Sequence, residues 1–288
     1  MDILITGATG FVGQNLIPIL QKNNEISNII LIVRDKEKAK NLFPFEKITI
    51  LTLEDKNSEL TSFNIEKVIH LATFSTSRDD NEVIDKLIDS NIKYGTQLLN
   101  FLRTTQIKEF INFGTFAEYR FGEKLESAYL YSATKTAFRV ILDYFSKLNN
   151  FNYYNVIPYT IYGGKDTRKK VIDYIKESFE KEVEMTKGEQ ILDFIHVEDV
   201  CDFILTLLLN KKFIPNGTNF YLGTGKGTSI RELSKILEKI YRKKCNIKWG
   251  ALKYRPNDIM YAVAPIGNNL RYLNWKSKIR IEDYKIEE

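Results

Sequence analysis

Cysteine and histidine are scarce in this chain of 288 residues, which holds two of each. Cys201 and Cys245 are isolated, with no Cys-x-x-Cys pair. That excludes a disulfide framework and points to a reduced, cytoplasmic protein. His70 and His196 lie far apart, so the sequence offers no metal cluster. Long apolar runs are missing as well. Stretches such as Phe203 to Leu209 fall well short of the roughly 20 residues a membrane span needs. The opening MDILITGATG enters a strand at once, with no basic segment ahead of an apolar one, so no signal peptide is expected. Charge of one sign is nowhere concentrated. The net charge is +5, and the clusters Arg168–Lys170, Lys211–Lys212 and Arg242–Lys244 are short and scattered. An anionic partner is mildly favoured, but no basic stripe marks a nucleic-acid surface. Internal repeats and low-complexity segments are absent too.

What is present suits one large α/β domain with a smaller annex: 43% hydrophobic and 27% charged residues are enough for a full core. Short β-rich runs are expected at Asp2–Thr6, Ile29–Val33, Ile48–Leu51, Lys67–Leu71, Glu109–Phe113 and Tyr153–Pro158. Helical patterns near 11–22, 80–104 and 127–148 separate them. Strand, helix, strand in repetition predicts a doubly wound parallel sheet with helices on both faces. The runs ILIT, IILIV and VIHLA are apolar at every parity, as strands covered on both sides should be. After residue 160 the rhythm loosens: Gly163–Gly164, a polar helix at 168–182, a strand at Ile191–Ile195, a helix at Glu198–Leu209, a last sheet strand at Phe220–Leu222, a helix at 229–241 and an irregular tail. The expected organisation is a nucleotide-binding domain over 1–162 that also receives elements near 191–222, and a smaller C-terminal α/β cap over 163–190 and 223–288.

Residues 6–13 read TGATGFVG, between the first strand and a helix with apolar Leu16, Ile17 and Leu20. Glycines spaced G-x-x-G-x-x-G allow a tight turn and close backbone approach to a pyrophosphate, and the helix N-terminus adds free N–H groups and a positive dipole end. Gly7, Thr9, Gly10, Phe11, Val12 and Gly13 are therefore candidate dinucleotide contacts. The second strand ends IVRDKEK, where Arg34 suits a 2′-phosphate and Asp35 suits a free ribose. With Lys36 and Lys38 nearby, NADP is preferred and NAD stays possible.

Residues 130–135 read LYSATK, which places Tyr131 and Lys135 one helical turn apart. Together with TGATGFVG, VIHLAT (68–73), NIKYGTQLLNF (91–101), INFGTFAEY (111–119), VIPYTIYGG (156–164), ILDFIHVEDV (191–200) and FYLGTGKGTSIREL (220–233), this order of motifs resembles the extended short-chain dehydrogenase/reductases, the family of nucleotide-sugar epimerases, dehydratases and reductases. TKGEQILDFIHVEDV and WGALKYRPNDIMYAV (249–263) are similar to reductases of nucleotide-linked 4-keto-6-deoxysugars of the CDP-abequose synthase type.

The resemblance implies a Rossmann-type fold and an NAD(P)-dependent oxidoreductase. It assigns Thr115, Tyr131 and Lys135 to catalysis. Leu71, Ala72, Pro158 and Ile161, with Tyr131 and Lys135, join the cofactor contacts, and Thr73, Thr115, Phe116, Lys170 and Arg255 become substrate contacts, Arg255 for the nucleotide diphosphate. Hydride transfer to a ketone leaves charge on oxygen. Tyr131 then delivers the proton, Lys135 supplies the positive charge that favours this, and Thr115 orients the oxygen. The expected reaction is NADPH-dependent reduction at C4 of a CDP- or dTDP-linked 4-keto-6-deoxyhexose, giving a deoxysugar donor for a surface polysaccharide such as O-antigen. A nucleotide-sugar 4-epimerase with tightly bound NAD is the alternative.

The chain departs from its relatives in three ways. The loop 116–130 is short. Ile157 and Leu192 stand where many relatives carry Arg. Phe116 and Ala117 fill the places of the dehydratases' acidic pair, which argues against elimination of water. His70, His196, Glu198, Asp199 and Tyr119 are expected to pack rather than react. A homodimer is expected through helices 80–104 and 127–148; the latter has an apolar face of Phe138, Ile141, Leu142 and Phe145 that suits either an interface or the chain's own core.

Overall fold

The structure, a computed structural model, describes residues 1–55, 60, 62–120, 122–164 and 169–284. Arg168, the expected start of the polar helix and of one basic cluster, lies outside them, as does residue 121 in the loop before Tyr131. Seven parallel strands form the central sheet: β1 (Asp2–Thr6), β2 (Asn28–Ile32), β3 (Ile48–Leu51), β4 (Ile65–His70), β5 (Glu109–Phe113), β6 (Asn152–Pro158) and β11 (Asn219–Leu222). Their spatial order is β3-β2-β1-β4-β5-β6-β11. Winding reverses between β1 and β4, and in open α/β sheets ligands bind outside the carboxyl ends of the strands at such a point.

Both faces of the sheet are covered. On one, α1 (Phe11–Leu20) and α7 (Val197–Leu209) bury Leu16, Ile17, Leu20, Phe203, Ile204 and Leu207 against Ile3, Ile5, Ile29 and Leu31. On the other, α4 (Tyr94–Phe101) and α5 (Leu130–Asn149) bury Leu98, Leu99, Phe138, Leu142 and Phe145 against Leu4, Ile30, Val68 and Phe110. Burial on both faces is why β1, β2 and β4 are apolar at both parities. It also answers for the apolar face of α5: Phe138, Leu142 and Phe145 serve this chain's own core, while Val140, Tyr144 and Leu148 are exposed at 71%, 61% and 47%.

A polar row crosses the α5 side of the sheet. Thr6, His70, Asn112, Asn155 and Asn219 are in register on neighbouring strands. Thr6 Oγ1 and His70 Nδ1 are 2.7 Å apart, Asn112 donates to Asn155 at 3.0 Å, and Asn155 donates to Asn219 at 3.0 Å.

Several elements differ from the sequence expectation. The helical pattern at 80–104 is α3 (Asn81–Ile88), a π turn (Asp89–Lys93), α4 and a 3-10 turn (Leu102–Thr104). KEKAKNL forms a short helix, α2 (Lys36–Leu42), that buries only Ala39. The polar helix is shorter than expected, α6 (Val171–Glu177). The strand expected at Ile191–Ile195 is broken at Asp193 into β9 (Ile191–Leu192) and β10 (Phe194–His196), which pairs with β7 (Thr160–Tyr162). Asp193 turns its carboxylate inward to accept from Thr224 N and Oγ1 and from the backbone of Gly225 and Ala264. β8 (Val183–Met185) pairs with β13 (Ile247–Trp249), and β12 (Thr228–Ser229) and β14 (Tyr261–Ala262) flank β9. α8 (Ile230–Tyr241) starts at a Ser229–Glu232 capping box. The tail is not wholly irregular: α9 (Gly267–Leu273) packs on β11, where Asn269 donates to Tyr221 O.

Candidate active site

The glycine loop leaves β1 and enters α1 at the switch point. Gly7 has φ +71°, and a Cβ there would stand 2.5 Å from Ala72 N. Only glycine lets the loop lie against the end of β4, which brings Leu71 and Ala72 beside Gly7. Gly10 is the N-cap of α1 and supplies no side chain; the first turn, with Phe11 and Val12, holds no acid, and Gly13 packs on the backbone of Ala8. By contrast, α2, α3 and α8 are capped by Asp35, Asp80 and Ser229. An uncapped N-terminus behind a glycine turn fits a pyrophosphate, so these residues suit a dinucleotide. Thr9 offers its carbonyl to Gln14.

Arg34 and Asp35 sit just past β2. Asp35 accepts from Lys38 N at 2.9 Å, which ties its carboxylate to the helix cap. Lys36 pairs with Asp55 at 2.8 Å. Arg34 is exposed and forms no ion pair among the described residues, leaving its fork available for an anion.

Behind the loop, His70 is fully buried against Phe110 and Phe138. Burial, helped by the Lys135 charge, holds its pKa down at about 3. Asn91, in the π turn, uses its whole amide: Nδ2 donates to Phe74 O and Thr134 Oγ1, and Oδ1 accepts from Thr73 Oγ1 and Phe74 N. It thereby joins the Thr73 loop to the residue preceding Lys135. The sequence signal was an Asn inside an otherwise amphipathic helical pattern.

Thr115, two residues past β5, is the N-cap of a 3-10 turn (Phe116–Glu118), and Tyr131 and Lys135 lie in the first two turns of α5. Lys135 is almost wholly buried; desolvation lowers its pKa to about 8, with the Glu118 carboxylate acting in the opposite direction. The loop and the helix are joined by Glu118, which accepts from Thr115 N at 2.9 Å and from Thr136 Oγ1 at 3.0 Å. Glu118 was missed from sequence because its partners on α5 become neighbours only in the fold.

Around Thr115 the packing is apolar and aromatic. Phe116 stacks on Tyr159 with centroids 5.5 Å apart, and both belong to a cluster with Tyr129, Ile157, Leu192 and Ile259. Tyr119 packs edge-on against Tyr221, and burial pushes its phenol up. Pro158 ends β6, and Ile161 O accepts from Lys170 Nζ at 3.0 Å. Lys170 Nζ also lies 3.7 Å from the Phe11 ring centroid, so this ammonium sits on the glycine loop itself. Arg255 is exposed and donates to Ser77 Oγ at 2.5 Å, while Asp258 beside it receives Tyr129 OH at 3.0 Å. His196 packs edge-on against Tyr162, and Asp199 receives Lys278 N and Ile279 N. Among the described residues, no three His, Cys, Asp or Glu gather to hold a metal, and no helix is long and apolar enough to cross a membrane.

Residues 3–223 match the model of the NAD dependent epimerase/dehydratase family. The chain is 31% identical to a CDP-abequose synthase of Salmonella typhimurium, an alignment covering 99% of this chain and 96% of that protein. It is 25% identical to a CDP-abequose synthase of Yersinia pseudotuberculosis, covering 99% and 98%. Among solved structures, UDP-glucuronic acid 4-epimerase of Bacillus cereus in complex with UDP-glucuronic acid and NAD is similar with a TM-score of 0.86 at 23% identity, covering 98% of this chain and 96% of that one.

Proposed function

The chain belongs to the NAD dependent epimerase/dehydratase family, and on that premise we propose that it reduces the C4 ketone of a CDP- or dTDP-linked 4-keto-6-deoxyhexose with NADPH. Membership and the CDP-abequose synthase relatives make it an NAD(P)-dependent nucleotide-sugar oxidoreductase. The reductase reading rests on one observation above the rest: Phe116, half-buried and stacked on Tyr159, follows Thr115 with an apolar side chain where the dehydratases carry an acid. An apolar side chain there offers sugar hydroxyls no partner and favours a sugar poor in them. NADP is the preferred cofactor because Arg34 forms no ion pair among the described residues while Asp35 caps α2.

The bound cofactor supplies a hydride. Thr115 Oγ1 donates to the substrate carbonyl oxygen and orients it. Tyr131 delivers its phenolic proton as the alkoxide forms. Lys135, kept from water, holds a positive charge that favours the phenolate left behind. Since its pKa is near 8, kcat/KM falls above that pH. Gly7, Gly10, Phe11, Val12 and Gly13 with Leu71 and Ala72 would hold the pyrophosphate side of the cofactor, Pro158 and Ile161 would border its nicotinamide, Thr73 and Arg255 would meet the nucleotide sugar, and Lys170, held over Phe11, would reach it only from the glycine-loop side. The cap comprises 163–190 and 223–288. The same reading includes a cytoplasmic homodimer through Val140, Tyr144 and Leu148, which repeat every fourth residue on α5, and Ile88 on α3.

The test is NADPH oxidation against a panel of nucleotide 4-keto-6-deoxysugars, with NMR of the product. Turnover of a CDP- or dTDP-ketosugar is expected. Tightly retained NAD, with exchange at C4 of a simple UDP-sugar and no ketosugar turnover, refutes the reductase in favour of the epimerase.

A further inference from the structure

The reaction proposed above gives no role to the buried carboxylate of Glu118, beside Thr115. Glu118 has no exposed surface. As the third residue of a capping box, its Oε1 accepts from Thr115 N. A cap alone would use only that oxygen. Here Oε2 reaches across to α5, where it accepts from Thr136 Oγ1 and pairs with Arg139 Nη1 at 3.3 Å. Thr136 follows Lys135 in sequence and Arg139 lies one turn beyond. Arg139 is anchored in turn by Asn219 Oδ1 at 2.7 Å and by the Tyr119 hydroxyl.

We infer that Glu118 is a positioning residue of the site: it locks the Thr115 loop onto α5 and keeps the Lys135 ammonium charged. The inference rests on the roles proposed for Thr115, Tyr131 and Lys135. Its physical ground is the low dielectric around Lys135. A buried ammonium tends to lose its proton unless a negative charge offsets the lost hydration. The charged and titratable groups near Lys135 from the elements packed on α5 are Glu118, from the turn after β5, and His70, from β4; Tyr131 and Arg139 share its helix. His70 is neutral at working pH, and Arg139 is already paired with Glu118. Glu118 is thus the negative charge that acts on Lys135, and it touches neither the reacting carbonyl nor the cofactor loop.

Two substitutions separate the halves of this role. Glu118→Gln keeps the shape and an acceptor for Thr115 N but removes the charge. The Lys135 titration, read from its 13Cε resonance in the cofactor-free protein and assigned by its loss in Lys135→Met, should fall about one pH unit. The alkaline limb of kcat/KM should move down with it. Glu118→Asp keeps the charge but shortens the reach; the Lys135 midpoint should stay near 8 while kcat drops at unchanged KM. Should Glu118→Gln not fold, the aspartate variant carries the test. An unmoved Lys135 titration in Glu118→Gln, or an undiminished kcat in Glu118→Asp, overturns the inference. The titration is read without substrate, so its result stands apart from the ketosugar assay that decides the ketoreductase reading.

Discussion

Acidification should destabilise this protein through one side chain, and the size of the effect follows from His70. In the folded chain its pKa is held at about 3, against 6.5 ordinarily. Its Nε2 has no hydrogen-bond partner among the described residues, and the ring sits among Phe110, Phe138 and Tyr94. A second N–H would therefore enter an apolar environment. The unfolded chain takes up a proton near pH 6.5 and the folded chain does not. Stability is thus fully present above pH 6.5 and is lost as pH falls from there toward 3, at about 1.4 kcal/mol per pH unit. At pH 5 the loss is about 2 kcal/mol, a large share of the 5–15 kcal/mol typical of a domain. Contributions of other groups in this window cancel when the parent is compared with a variant that lacks the imidazole. Carboxylates held low, such as Glu177 at about 2, contribute only below about pH 4.5. Urea unfolding at pH 7.5 and pH 5 measures the loss, with His70→Gln as reference because its amide can still meet Thr6 Oγ1. The variant should be weaker at pH 7.5 but lose about 2 kcal/mol less between the two pH values. Equal losses in both proteins would refute a neutral, buried His70.

Three further outcomes are expected. Tyr131→Phe should bind NADPH as before, by fluorescence titration, and lose turnover by 100-fold or more, the order of a lost general acid. Arg34→Ser should raise Kd for NADPH about tenfold and leave NADH nearly unchanged, since only the former brings a phosphate monoester to the fork. Val140→Glu with Tyr144→Glu should yield a monomer in sedimentation while the melting temperature at low concentration stays close to that of the parent; an unchanged mass would remove α5 from any interface.

The sheet was legible because its strands are short, apolar and separated by turns; β1, β3 and β5 have the expected bounds. Periodicity could not say which partner an apolar stripe meets. Phe138, Leu142 and Phe145 read equally well as core or interface until α5 was placed on the sheet. Helix α2 escaped notice because its lysines mask a single buried alanine. Asp193 broke an expected strand because its four donors come from residues 31 to 71 positions away. Glu118 is the same lesson within the site: the motif around Thr115 and Tyr131 was readable, but the carboxylate that joins them has partners 18 and 21 residues on.

The polar row from Thr6 to Asn219 has a bearing on how the chain finds this arrangement. β5, β6 and β11 expose interchangeable apolar faces, and hydrophobicity alone tolerates a two-residue slip that keeps the same faces inward. Such a slip would break the amide pairing of buried Asn112 and Asn155 and their link to Asn219, a cost of several kcal/mol at about 1–3 kcal/mol for each orphaned buried group. The row therefore acts as a key that rejects misaligned sheets during folding.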